Sequence, residues 1–227
     1  VEGVHHKTKE VIHHDPGVHI ACAIKCIEPL AAKASLVFAT KGTPAHVGHS
    51  SELAIGSAIK AVADPNHDDE TAHAAGDWQI QTGSHLMSVW HHCSATSREW
   101  LESGEYSRAI AHERAQCLRA DHPIPSVFVR AHRHVPGIFQ SPSGLMVVTP
   151  AWQLLTSFGR KVVPGSRCFV GGCIIDLSGP VPLAIPWWKP EPARRVYVVR
   201  ADLMATAIKT SAKKKRRAKW KAKNSRR

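Results

Sequence analysis

The sequence predicts an α/β sandwich in which a mixed second sheet packs on a first. Three observations predict it: helical and strand-like apolar patterns alternate over residues 15–130, short β-like runs separated by Gly, Pro and Ser follow, and histidines stand at the ends of three apolar runs. At 227 residues, with 43% hydrophobic and 21% charged side chains, the chain can bury a substantial core. Collagen-like, coiled-coil and small disulfide-scaffold classes are thereby excluded.

Asp15-Pro16-Gly17 offers a helix cap, and Val18, Ile20, Ala21, Ile24, Ile27 and Leu30 continue at helical spacing, which predicts a packed helix running past Pro29. Residues 35–39 form a continuous apolar run suited to a buried strand, with a polar turn over residues 40–50 after it. A second helix is expected over residues 52–62, closed by Asp64-Pro65-Asn66, with a loop to Gly76 in which Asp77 and Trp78 lie near the site. Residues 85–90 (HLMSVW) read as a strand ending at His91-His92. Tyr106, Ile110, Ala111, Arg114 and Leu118 place a helix over residues 104–120, and residues 126–130 make the next strand, ending at Ala131-His132-Arg133-His134. Short β runs follow at residues 135–140, 145–149, 168–177, 181–187 and 195–199. Residues 1–204 are expected to make the folded domain, and residues 205–227 a basic tail that is disordered on its own.

Charge and cysteine usage narrow the partners and the compartment. Lys and Arg total 30 against 18 acids, but residues 212–227 hold ten of the bases and no acid, so the net charge of +12 describes a tail rather than a basic fold. Lys213, Lys214, Lys215, Arg216, Arg217, Lys219 and Lys221 are the candidate nucleic-acid contacts, since clustered cations release counterions from a phosphate backbone. An acidic membrane surface would need an apolar anchor that the tail lacks. The six cysteines form no CxxC pair and read as buried thiols; Cys22 and Cys26, four apart on a helix, read as small core residues rather than metal ligands. With no signal-like segment and no run of eighteen apolar residues, a cytoplasmic location is expected.

The histidines are the chemical signal. There are 16; His91 and His92 follow one apolar run, His132 and His134 another, and His46 follows Lys41-Gly42-Thr43-Pro44-Ala45 in the turn after a third. Strand ends in one sheet converge without long flexible arms, and neutral imidazole suits zinc, manganese and iron. The other histidines, His73 and His85 among them, read as surface or hydrogen-bonded core residues. Trp187-Trp188 reads first as packing beneath a proline-bounded turn, with stacking on a base or sugar as the alternative, while Trp152 and Gln153 follow a strand towards the histidine face. No Walker phosphate loop, serine nucleophile elbow or HExxH is present.

In order and spacing these blocks resemble the calcineurin-like metallophosphoesterases, particularly their divergent phage and bacterial members. Ala131-His132-Arg133-His134 resembles the family's Gly-His-x-His, His91-His92 its lone strand-end His, and Gly42-Thr43-Pro44-Ala45-His46 its Gly-Asn-His with an insertion and Thr for Asn. Val1-Glu2-Gly3-Val4-His5-His6 resembles the segment just after the family's Gly-Asp, so the two carboxylate-bearing blocks are expected to be missing, as in a fragment or a late start. The resemblance implies an αββα sandwich of two mixed sheets, N-terminally incomplete, and a two-metal hydrolase of phosphomonoesters or phosphodiesters, nucleic acid included. It implies that His91 or His92, with His132, binds one divalent ion (Mn, Zn or Fe), that His134 binds the other, that Thr43 stands in the place of an asparagine ligand, and that His46 protonates the leaving oxygen or stabilises phosphate charge. With the carboxylates missing, one ion or none is held, because neutral imidazoles do not offset the charge of two. The competing expectation is a non-catalytic nucleic-acid-binding protein on a degenerate form of this fold, and a third is a structural zinc protein with a closed ligand set.

Overall fold

The computed structural model describes residues 15–42, 51–63, 73–93, 102–152 and 169–190. All of them belong to the unit Val1–Glu191.

Helix α1 (Pro16–Ala31) starts where its cap places it: Asp15 Oδ1 accepts the Gly17 backbone N–H at 2.8 Å, with proline at the first helical position. It ends shortly after Pro29, where the Ala32 N–H reaches the Glu28 carbonyl at 2.9 Å. The expected packing is only partial. Ile20, Ala23, Ile24, Ile27 and Ala31 form a half-buried stripe and α1 meets α2, but no residue of α1 is fully buried, and Val18 and Leu30 face outward. Cys22 and Cys26 are exposed as well, so they are not core thiols.

Helix α2 (Ser51–Ala58) is shorter than the span 52–62. Lys60 turns into the left-handed region (φ 54°) and the Ala61 N–H closes back on the Gly56 carbonyl at 2.8 Å, a terminating geometry that the apolar pattern does not encode. The run 35–39 forms no strand. Its one ladder bridge is Thr40 to Ala75, in parallel; the Val37 carbonyl takes the Val62 N–H at 2.8 Å instead of a neighbouring strand, and Leu36 is exposed.

The main sheet has the order β1-β2-β3-β5-β4: β1 (Asp77–Thr82), β2 (His85–Trp90), β3 (Val127–Arg130), β4 (Gly137–Ser141) and β5 (Gly144–Val148). Strands β2, β3 and β5 are parallel, with Val89 beside Val129 and Arg130 beside Val148, while β1 and β4 are antiparallel edges. Asp77 and Trp78 therefore belong to a strand rather than a loop, and Trp78 is buried with its indole N–H on the Ala39 carbonyl at 2.7 Å.

Side-chain alternation sorts the sheet into two faces. Phe128, Met146 and Val148 point towards helix α3 (Glu102–Arg119) and bury Tyr106 and Ile110; Val127, Leu145 and Val147 point the other way, against Cys173, Ile175 and Ala184. Those residues come from β6 (Phe169–Asp176) and β7 (Leu183–Pro190), an antiparallel pair that forms the second sheet among the described residues. The α3 stripe runs through residues 106, 110, 113 and 117; Ala111 and Leu118, expected on it, are exposed. The loop segment 64–72, the run 195–199, Cys168 and Gln153 lie outside the described residues. No described helix is long and apolar enough to cross a membrane.

Candidate functional site

Because β2, β3 and β5 are parallel, the chain leaves all three at one edge of the sheet, the position at which open α/β sheets collect ligands. His91 and His92 follow β2, residues 131–134 follow β3, and residues 149–152 follow β5. Backbone pairing continues past the strands and fixes these segments to one another. The Ala131 N–H reaches the His91 carbonyl at 3.1 Å, and Thr149 donates its N–H (2.8 Å) and its hydroxyl (3.2 Å) to the Arg130 carbonyl. Strand β1 starts at this edge, with Asp77 opposite Trp90, and Thr40 and Lys41 run beside Ala75 just outside it.

Three of the sequence-assigned histidines come together there. The rings of His91, His92 and His132 are mutual neighbours, with centroid separations of 5.1, 5.0 and 4.8 Å. His91 Nε2 and His132 Nδ1 are 3.1 Å apart. Two imidazole nitrogens ligating one ion at about 2.0–2.1 Å stand roughly 3.0–3.4 Å from each other, so this pair fits two corners of a metal site. The rings meet edge-on or tilted, and among the described residues no three His, Cys, Asp or Glu side chains converge to hold an ion. A third donor comes only by rotation of a ring or from outside these residues. Thr43, His46 and the basic residues 213–221 lie outside the described residues.

The backbone carrying His132 and His134 is strained. His132 has φ 69° and His134 φ 60°, in a region that side chains other than glycine enter at a cost of about 1–2 kcal/mol each. The Arg133 N–H closes on the Ala131 carbonyl at 2.8 Å, which makes residues 131–133 a γ-turn centred on His132 with positive φ, the rare and strained hand.

What holds that turn is Arg133, which in the sequence reads only as the spacer between two histidines. Its guanidinium reaches α3, with Nη2 on Glu102 Oε1 at 2.7 Å and Nη1 donating to the Tyr106 hydroxyl at 3.1 Å. Burial, with the Glu102 carboxylate adding to it, pushes the Tyr106 phenol up to about 12, so it stays a neutral hydroxyl. The fit is close: a Cβ on Gly137 would stand 2.7 Å from that hydroxyl. At the end of β3, the buried Arg130 pairs with Glu113 of α3, donates to the Ser88 carbonyl at 2.9 Å and lies 5.5 Å from the Trp90 ring centre. Burial lowers the Arg130 pKa and Glu113 opposes the effect. Burial likewise raises the Cys93 thiol, against the pull of Arg133 and Arg130. His85 and His73, read as hydrogen-bonded residues, are so: His85 bridges Ser126 Oγ (3.2 Å) and the Gly179 carbonyl (2.8 Å), and His73 Nδ1 meets the Ala61 carbonyl at 2.6 Å.

Fold and site together define an α/β protein with a histidine cluster on the edge where its parallel strands end. No family model matches the chain, and no curated protein matches it. Among solved structures it is similar to vacuolar protein sorting 29 from Cryptosporidium parvum, at 13% identity over 75% of this chain and 78% of that one, with TM-score 0.37. It is also similar to a hypothetical protein from Thermus thermophilus, at 12% identity over 78% and 96% with TM-score 0.39, and to a novel archaeal phosphodiesterase, at 9% over 75% and 94% with TM-score 0.39.

Proposed function

We propose that the chain is a metal-dependent phosphoester hydrolase of the calcineurin-like kind, with its metal centre on the histidine edge. The observation that carries this reading is the pair His91 and His132, delivered from two adjacent parallel strands with nitrogens at ligand-to-ligand distance, His132 being held in a strained turn. Strain of that sort persists only where surrounding contacts enforce it, and here the enforcing contact is Arg133 on Glu102 and Tyr106.

His91, His92 and His132 are the residues that would hold a first divalent ion, with His134 towards a second and Thr43, by the sequence resemblance, in the place of an asparagine ligand. A bound ion would supply a Lewis acid for the phosphoryl oxygens and a water acidified to serve at neutral pH. The chain's own residues do the rest. Glu102 and Glu113 neutralise Arg133 and Arg130, so the imidazoles do not share their edge with two unpaired cations that would repel a metal. His46 is assigned the leaving-group proton by its place in the resembling block. Lys213, Lys214, Lys215, Arg216, Arg217, Lys219 and Lys221 are assigned the retention of a polyanionic substrate.

Manganese and zinc titration of the intact chain beside His132→Ala and His134→Ala tests the reading, with hydrolysis of a simple phosphodiester as the second readout. Saturable binding of an ion that His132→Ala weakens at least tenfold is the expected result. Equal binding by all three proteins, with salt-sensitive nucleic-acid binding retained, would leave the non-catalytic binding protein as the function.

A further inference from the structure

The edge that carries the histidines also carries an aromatic pair that the packing of the fold does not use. Trp152 lies just beyond β5, and its neighbour Ala151 bridges Val170 at the start of β6. Strand β6 pairs with β7 in the register Gly172 opposite Trp187, so this part of the hairpin adjoins the end of β5, on the side from which His132 leaves β3. The two indoles stand 6.1 Å apart between centroids at 53°, with Trp152 67% and Trp187 60% exposed. Trp187 is therefore not packed beneath a turn; it is a strand residue facing water, while Trp188 on the opposite side of the strand is half-buried.

Two features make this a built surface rather than a chance exposure. A large apolar side chain left in water forgoes about 1.5–3 kcal/mol of burial, and here two of them, from different elements, are left side by side. The backbone that carries one of them is fixed by a close approach: Gly171 (φ 147°) lies where a Cβ would stand 2.1 Å from the Trp187 carbonyl oxygen, which only glycine allows, and Gly172 lies opposite, beside the Trp187 ring. Trp187 is thus carried at a fixed place on a strand. A tilted, water-facing pair of indoles recognises a flat π-system, and every nucleobase presents one. The ten bases of residues 212–227 supply the complementary charge for a phosphate backbone.

We propose that Trp152 and Trp187 form a stacking platform for a base of single-stranded nucleic acid, which makes that polymer the substrate class of the histidine edge. This rests on the phosphoester reading above. The platform reads no sequence, since stacking is available to every base; its work is to hold a strand so that a neighbouring phosphate reaches the histidines.

Anisotropy of a labelled oligothymidylate decamer, against an abasic sugar-phosphate decamer of equal length at one salt concentration, separates stacking from charge in the full chain. The intact protein should prefer the thymidylate, Trp152→Ala and Trp187→Ala should each lose about tenfold on it and nothing on the abasic strand, and Trp187→Phe should keep most of the preference. Equal affinity for the two strands, or equal losses on both, would overturn the platform. So would concentration-dependent dimerisation of the intact protein that either alanine variant abolishes, because the pair would then be a contact between copies. Manganese binding indifferent to His132→Ala would sink the phosphoester reading and, with it, the platform as a substrate subsite; a missing base preference beside His132-dependent manganese binding sinks the platform alone.

Discussion

Arg133 joins two features that are separate in sequence, a strained turn after β3 and the first turn of α3. Its side chain is 9% exposed and that of Glu102 19%, so truncating one leaves the other's charge poorly solvated. Arg133→Met should therefore cost about 3 kcal/mol in urea unfolding, and Glu102→Gln with Arg133→Met should recover part of it, because no charge is then stranded. If the single and double variants unfold alike, the pair is not the clamp described. Tyr106 gives the same network a pH signature. Its folded pKa, about 12, is above the ordinary phenol value, so the stability it contributes is complete below the unfolded pKa near 10 and is lost as pH rises towards 12. A Tyr106→Phe variant should lose that decline between pH 10 and 12, read from unfolding midpoints across the range; an unchanged profile would refute a buried, neutral phenol. None of this is legible from residue types. An arginine between two histidines looks like a spacer, and Glu102 and Glu113 look like solvated helix charges until the sheet supplies their partners.

At the scale of elements, what the sequence encodes locally is recovered in the fold and what depends on neighbours is not. Strand β2 matches its expected span because a Gly-Ser turn and a His pair bound an apolar run, and α1 starts at its cap because Asp15 needs no tertiary partner. Strand β1 is not visible in the sequence because an edge strand needs only Trp78 and Ile80 as apolar residues, and its pairing partner, β2, provides the rest. The stripe of α3 differs from its apolar pattern because Glu113, one of its inward residues, is charged. Since α1 packs through a half-buried stripe and has no fully buried residue, its cap supplies a larger share of its local stability than it would in a core helix. Asp15→Ala should raise amide exchange throughout α1 by about fivefold, equivalent to roughly 1 kcal/mol, while the global unfolding midpoint moves little. A large loss of global stability would mean that α1 is held to the body more firmly than its exposure indicates.

Across the described body, the main sheet works as a partition with unequal sides. Its α3 side holds Phe128, Met146 and Val148 together with both arginine clamps, Arg130 on Glu113 and Arg133 on Glu102; its other side is apolar packing of Val127, Leu145 and Val147 against β6 and β7. The histidines are carried on the ends of strands that both faces stabilise, but only the α3 face also grips the loops they sit on. Phe128 lies under Arg130, 5.8 Å from ring centre to guanidinium, and against Tyr106, so removing it loosens both clamps at once. Phe128→Ala should cost about 3–5 kcal/mol, and Val147→Ala on the opposite face about 1–3 kcal/mol. The decisive comparison is metal affinity measured at a temperature where both variants are folded. Phe128→Ala should weaken manganese binding several-fold beyond any unfolding, whereas Val147→Ala should bind as the intact chain does; equal affinities would show that the histidine edge is positioned by the strands alone and that the clamps on α3 serve stability only.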